Sequence, residues 1–266
     1  MKHLAWLTDI HLNFLAPEGV AAFIRELARM ECDGFLLSGD IGEADDLVTY
    51  LDVIAAEVAR PVYFVLGNHD FYGGSIAAVR SRVEELRARR ANLHWLSRSG
   101  VVAFTGETGL VGHDGWGDGR LGDYWGSEVE LNDWWMIKEL AGLEKDARLA
   151  KLQALGDEAA DHFSAVLPGA LEHYRNIVMV IHVPPFREAC WYQGRISDDN
   201  WLPHFTCHAV GEVLTEAMRN APDRSMTVLC GHTHGAGEAQ ILPNLHVLTG
   251  GAIYGRPVVD RVLQFE

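Results

Sequence analysis

Cysteine is scarce in this chain, and the few that occur lie far apart. Cys32, Cys190, Cys207 and Cys230 are the only four among 266 residues, and no two form a CxxC pair. That spacing excludes a disulfide-stapled scaffold and a thiolate zinc site; all four are expected to act as small buried hydrophobes. Positive charge is also short, with 22 Lys and Arg against 37 Asp and Glu, a formal charge of −15. A broad grip on DNA or RNA needs a phosphate-neutralising surface, so a nucleic-acid partner is disfavoured, whereas a small nucleotide in a local cationic pocket is not. Long apolar runs are missing too. The first, Leu4 to Leu7, is cut by Asp9 and His11, well short of a secretory core or a membrane span. The expected setting is therefore cytoplasmic, with no membrane partner. Repeats, low-complexity tracts and linkers are absent, and 48% of the residues are hydrophobic. These features describe one domain, residues 1–266, with a substantial core.

The first 100 residues alternate short β-rich runs with amphipathic helical patterns, the mark of βαβ units and a largely parallel sheet. Leu4 to Thr8, Phe35 to Leu37 and Val62 to Leu66 read as strands. Between them, Val20, Phe23, Ile24 and Leu27, then Leu47, Tyr50, Leu51, Ile54 and Val58, repeat at helical spacing. Pro17 suits the first turn of one helix, and Ser75 caps a third that carries Ile76, Val79, Val83 and Leu86. Further strands are expected at Val101 to Thr105 and Leu110 to Val111, then a glycine-rich loop from Gly112 to Gly126 and helix over roughly 128–173. Strand signals return at Ile177 to Ile181, Met226 to Cys230, Ala239 to Leu242, His246 to Thr249 and Val258 to Phe265. With no long helix between these late strands, a second, antiparallel or mixed sheet is expected.

Residues able to bind metal recur at nearly every junction after a strand. Asp9 and His11 follow the first, Asp40 the second, Asn68, His69 and Asp70 the third, His182 a later one, and His232 with His234 another. Singly, such residues are ordinary turn chemistry or a satisfied core histidine. Jointly they point to a metal site, because ligands of open α/β sheets bind beyond the carboxyl ends of the strands. Nitrogen and carboxylate donors without thiolate suit manganese, iron or zinc better than copper(I) or calcium.

Five blocks in order, Asp9-Ile10-His11, Gly39-Asp40, Gly67-Asn68-His69-Asp70, His182 before Val183-Pro184-Pro185, and Gly231-His232-Thr233-His234, resemble the calcineurin-like metallophosphoesterase superfamily. The resemblance implies a four-layer α/β/β/α sandwich of two mixed sheets flanked by helices. It also implies two metal ions: Asp9, His11 and His234 on one, Asn68, His182 and His232 on the other, and Asp40 between them. His69 would protonate the leaving oxygen or stabilise the transition state, and Asp70 would orient His69. The implied activity is phosphoester hydrolysis by a metal-bound hydroxide. A small phosphodiester is the favoured substrate, because no basic cluster stands ready for a terminal dianion. Monoesterase, protein phosphatase and nucleotidase activities are the alternatives, and a non-catalytic scaffold is the rival of another class.

Six of the eight tryptophans, Trp116, Trp125, Trp134, Trp135, Trp191 and Trp201, fall outside the metal blocks. They mark an insertion at about 112–173 and a variable loop at about 183–206; several are expected simply to pack the insertion, the alternative being a cap over the metals with an aromatic wall for the substrate. His113 and Arg187 are the leading candidates for substrate contact, followed by Asp114, Arg120 and Arg195.

Overall fold

A computed structural model describes all 266 residues. The N-terminal half follows the expected alternation: β1 (Lys2–Leu7), α1 (Pro17–Arg29), β2 (Gly34–Ser38), α2 (Leu47–Val58), β3 (Val62–Val65), α3 (Ile76–Arg87) and β4 (Leu93–Trp95). Pro17 opens α1, and the Ser75 hydroxyl caps α3 by accepting from the Ala78 amide at 3.2 Å. Next come β5 (Val102–Ala103), β6 (Thr108–His113), α4 (Asp133–Met136), α5 (Lys145–His173) and β7 (Asn176–Ile181). The remainder comprises β8 (Trp191–Tyr192), β9 (Arg195–Ile196), α6 (Leu202–Phe205), α7 (His208–Arg219), β10 (Ser225–Cys230), β11 (Gly237–Leu242), β12 (Leu245–Thr249) and β13 (Arg261–Phe265). No helix is long and apolar enough to cross a membrane.

Two sheets form. The first has the order β13-β1-β2-β3-β4, with β1 to β4 parallel and β13 antiparallel on the edge. The second has the order β11-β12-β10-β7-β6-β5, parallel through its four inner strands and antiparallel at both edges. Side chains alternate across each strand, and this period of two builds the layers. Leu4 and Trp6 of β1, Leu36 of β2 and Val65 of β3 meet Val178 and Val180 of β7 and Leu229 of β10 in a cluster of 12 buried residues between the sheets. Their neighbours Ala5, Leu7, Phe35, Leu37 and Phe64 turn outward onto α1, α2 and α3, in a cluster of 33. On the far side, Ile177, Met179 and Val228 pack against α5 and α7. The layers are therefore α/β/β/α, as the resemblance implies.

Four local expectations need correction. Residues 128–173 are not one helix: α4 spans only Asp133–Met136, and α5 begins at Lys145 after a turn that includes Gly142 at φ +73°. The late strands do have a helix among them, α7, whose Val210, Leu214 and Met218 repeat at the spacing of one buried face. The last strand pairs with β1 in the first sheet rather than joining the second, a long-range choice that local pattern does not encode. Cys32 is only half-buried, beside the Arg60 guanidinium; Cys190, Cys207 and Cys230 are buried, and all four are free.

One buried carboxylate fastens the two sheets. Asp114, one residue beyond β6, accepts hydrogen bonds from the Leu66 amide (2.9 Å), the Trp95 indole (3.0 Å) and the Ser97 hydroxyl (2.7 Å), and it pairs with Arg80 of α3 at 3.4 Å. Burial alone would raise its pKa, but Arg80, His113 and these donors outweigh burial and hold the carboxyl below its usual range. A depressed folded-state pKa stabilises the fold fully above the unfolded value of about 4, and that contribution is lost as pH falls through the folded value. Asp114→Asn is expected to lower stability at pH 7 by about 3 kcal/mol, the scale for breaking a buried pair. Urea midpoints at pH 7 and pH 3 test this: the gap between wild type and variant should narrow at pH 3.

Candidate active site

The parallel strands of both sheets end on one edge, and the loops that leave them carry the metal-binding residue types. Asp9 and His11 follow β1, Asp40 follows β2, Asn68 to Asp70 follow β3, His182 follows β7, and His232 and His234 follow β10. Five of these adopt left-handed backbone: Asp9 (φ 48°), His11 (39°), Asp40 (53°), His232 (69°) and His234 (57°). Only Ala59 and Gln193 share that conformation among the other non-glycine residues. Each such residue carries strain of order 1–3 kcal/mol, which persists where surrounding bonds enforce it. Here the Asp9 amide donates to Gly39 O at 3.1 Å, the His11 amide to Asp40 O at 2.9 Å, and the His232 amide to Asp9 Oδ1 at 3.0 Å.

The donor atoms form two groups that meet at Asp40. In the first, His11 Nε2 and His234 Nε2 face each other at 3.1 Å, with Asp40 Oδ2 at 3.6 Å from His11 and Asp9 Oδ1 at 3.4 Å from His234. Ligand atoms of Asp9, His11, Asp40 and His234 all lie within 4.8 Å of one another, a set that could hold a metal ion. In the second, Asn68 Oδ1 lies 3.2 Å from His182 Nε2 and 3.0 Å from His232 Nδ1, and His182 Nε2 lies 3.4 Å from Asp40 Oδ1. Outer hydrogen bonds fix which nitrogen faces inward. His182 Nδ1–H donates to Ser38 O at 2.8 Å, and His232 Nε2–H donates to His204 O at 3.2 Å, leaving the opposite ring nitrogen of each for the group. Asn68 is set by its amide nitrogen, which donates to Asp133 Oδ1 at 2.8 Å and to Tyr72 Oη at 3.1 Å.

Electrostatics match a cation-binding pocket. Burial pushes the His11 imidazole down to about 4 and His232 down to about 3, so both present lone pairs near neutrality. Burial also opposes charge on His182, but the Asp40 carboxylate beside it carries that ring up to about 10. Asp40 itself, despite its burial, is held well below the usual carboxylate range by His182, His69 and His11. A chain without a bound cation thus neutralises its buried carboxylates with imidazole protons, which a metal would displace. Imidazole nitrogen with carboxylate and amide oxygen, and no thiolate, fits manganese, iron or zinc.

The motif glycines are demanded by this packing. A Cβ at Gly67 would overlap Asp40 Oδ1 and come within 2.6 Å of the Asp40 amide; one at Gly39 would lie 2.5 Å from His182 Nδ1; one at Gly231 would overlap Asp9 and Thr8. Asp70 does not orient His69, contrary to what the resemblance implies. Its carboxylate accepts four backbone N–H groups, those of Asp40 (3.1 Å), Ile41 (2.8 Å), Gly42 (2.9 Å) and Gly67 (2.8 Å), and so ties the Asp40 loop to the Asn68 loop. His69 is placed instead by its own amide, which donates to Asp40 Oδ1 at 2.9 Å, and by stacking on Tyr72 at 4.2 Å; its Nδ1 is buried without a partner.

The residues that the sequence favours for substrate contact are held away from the cleft, most of them by other partners. His113 is buried against His162 and Phe163 of α5 and does not line the cleft. Arg187 pairs with Asp199 at 2.9 Å away from it, Arg120 pairs with Asp118 and Asp157, Arg195 is exposed on β9, and Asp114 is the fastener described above. A cleft of about 320 Å³ opens over the donor groups, walled by Tyr72, Glu130, Leu131, Asn132, Tyr192, Trp201, Phe205 and Tyr254. No lysine or arginine lines it. Of these wall residues, only Trp201 is among the tryptophans that stand out in the sequence; Tyr254, Tyr72 and the nearby Asp133 carry no motif that marks them. The long helix α5 packs against β6 and α7 as an outer layer, while the 130–132 segment before α4 reaches the cleft.

Two substitutions separate a loop clasp from a catalytic role. Gly67→Ala and Asp70→Asn are each expected to strip bound metal and lower activity by roughly a hundredfold or more, the scale of an ångström-level misplacement. Metal analysis of the purified variants decides it: full metal content in Asp70→Asn would show that the clasp is not needed.

The fold is shared widely. A phosphopantetheinyl hydrolase from Mycobacterium tuberculosis aligns with a TM-score of 0.62 at 16% identity, over 95% of this chain and 89% of its own. A dimetal phosphatase from Danio rerio gives 0.58 at 15%, over 96% and 89%. GAP50, the anchor in the inner membrane complex of Plasmodium, gives 0.50 at 12%, over 94% and 71%. At these identities the likeness is one of fold. No curated protein matches the chain. The family model for calcineurin-like phosphoesterases matches residues 2–236, a span that contains all five blocks. The chain therefore belongs to the calcineurin-like phosphoesterase family, whose chemistry is metal-dependent phosphoester hydrolysis.

Proposed function

We propose that this chain is a phosphodiesterase for a small substrate, working through a binuclear metal centre. The observation that carries the proposal is the meeting of two donor groups at one buried carboxylate, under a cleft without cationic side chains. Asp9, His11 and His234 would hold one metal, Asn68, His182 and His232 the other, with Asp40 shared. Two bound metals would supply an acidified water as nucleophile and charge stabilisation for the phosphoryl oxygens.

The residues around the donors have separable tasks. His69, stacked on Tyr72 and tethered through its amide to Asp40, is the proton donor to the leaving oxygen. Tyr72 and Asp133 lock the Asn68 amide so that its oxygen faces His182 and His232. The cleft favours a diester because a dianionic monoester or a polyphosphate tail would find no Lys or Arg there, and Glu130 would repel it. A protein phosphatase also fits poorly, since a cleft of about 320 Å³ suits a small molecule.

Three outcomes test this reading. Chelator-stripped protein reloaded with manganese is expected to hydrolyse bis(para-nitrophenyl) phosphate faster than para-nitrophenyl phosphate; the reverse order selects a monoesterase. Silence on both esters, with two metals bound, favours a narrow natural substrate or a scaffold. His69→Ala is expected to keep its metals and lose roughly 10²–10⁴ in kcat, the range for a general acid; loss of metal would remove that role. Hydrolysis in oxygen-18 water is expected to label the phosphate product with inversion at phosphorus, and net retention would require a covalent intermediate.

A further inference from the structure

Two aromatic surfaces adjoin the donor groups, and they do so at different histidines. On one side, Tyr254 lies against His11 and His234 with ring centroids 4.6 and 4.8 Å apart, and Tyr72 stacks on His69 at 4.2 Å. On the other, Trp201 overlies Phe205 at 5.1 Å and 31°, and Tyr192 at 5.9 Å and 33°, while Phe205 meets the His232 ring edge-on at 5.1 Å. This second surface is anchored by the buried Leu202 and Phe205 of α6, and Trp201 remains half-buried at the cleft wall.

The leaving group departs on the side of its proton donor, His69, and therefore toward Tyr72 and Tyr254. The wall beside His232 then faces the other arm of the ester. Aromatic rings that line a cleft bind planar groups by stacking, a mode that tolerates many ring types, and Trp201, Tyr192 and Phe205 all line this one. The cleft wall offers no cationic side chain for a charged arm, and its carboxylate, Glu130, disfavours an anionic one. We propose that Trp201, backed by Tyr192 and Phe205, stacks on a planar, uncharged ring, base-like or aryl, carried by the ester arm that stays on phosphorus. This substrate class rests on the diesterase reading above.

The test holds the leaving group constant and varies the retained arm. Methyl, phenyl and thymidine-5′ esters of para-nitrophenyl phosphate release the same phenolate, so their kcat/KM values compare retained arms alone. Wild-type protein loaded with manganese is expected to prefer the phenyl and thymidine esters over the methyl ester by roughly tenfold to a hundredfold, the scale of one stacked ring. Trp201→Ala should collapse that ratio to near one, and Trp201→Phe should restore most of it. Trp125→Ala serves as a control, because Trp125 is 61% exposed and lies outside the cleft lining; its ratio should match wild type. A wild-type ratio near one, or a ratio that survives Trp201→Ala, overturns the proposal while leaving the diesterase intact.

If no diester is cleaved, the diesterase reading falls, and a binding measurement decides the wall separately. Manganese-loaded protein titrated with adenosine, which has no phosphate, is expected to show quenching of tryptophan emission that Trp201→Leu abolishes. Absence of saturable quenching, or quenching that persists in Trp201→Leu, would overturn the stacking role.

Discussion

A single buried negative charge organises this protein's working edge. Asp40 sits between His11 and His182, with its two oxygens 3.6 and 3.4 Å from their inward nitrogens, and accepts the His69 amide as well. An ionised carboxylate in that position is tolerable only with positive charge close by. Without a cation the imidazoles provide it, at the expense of holding His182 protonated. With cations, the same residues become neutral donors. The histidines, the left-handed loops and the close-packed glycines are all consequences of presenting lone pairs around this one group.

The edge is also where the two sheets are joined. His182 donates to Ser38 O, linking β7 to β2; Asp9 accepts from the His232 amide, linking β1 to the loop after β10; Asp114 accepts from Leu66 and Trp95 while standing at the end of β6. Polar bonds at the carboxyl ends thus add directional constraints to the apolar interface between the layers, whose driving force is itself non-directional. Both donor groups draw residues from both sheets, so the geometry of the site and the geometry of sheet packing are one constraint.

The acidic character of the chain gains a specific meaning in this frame. Net charge of −15 opposes approach of any anion at long range, yet the only formal charges proposed among the ligands are those of Asp9 and Asp40. Bound cations would reverse the sign locally, so the attraction for phosphate is confined to the edge. Surface arginines do not assist: Arg120 and Arg187 are committed to Asp118, Asp157 and Asp199. Under the diesterase proposal, charge at the cleft would separate diesters from dianionic monoesters, and rings and shape would be left to separate one diester from another.

The order of elements in the first 100 residues is readable because each apolar run has the period of its own element, and the Asp, Asn and His blocks stand out because they follow strands. The four-layer arrangement comes through resemblance, since no local period states which sheet a strand joins. That is why local pattern misplaces β13: its alternation is the same on either sheet, and only pairing with Lys2 to Trp6 decides. His113 and Asp70 illustrate the same limit at the site. Both sit beside reactive-looking neighbours, but Asp70 is surrounded by four amides and His113 by α5, contacts made largely by chain segments distant in sequence. Tyr254 and the Tyr192–Trp201–Phe205 stack are equally hidden, because aromatic residues carry no spacing rule that tells a wall from a core. Residue type and turn position are local properties, so the chain alone announces which atoms can bind metal and where they leave the strands. Satisfaction of a polar group is a long-range property, so only the packed layers reveal which of those groups the backbone has already claimed and which are free to act.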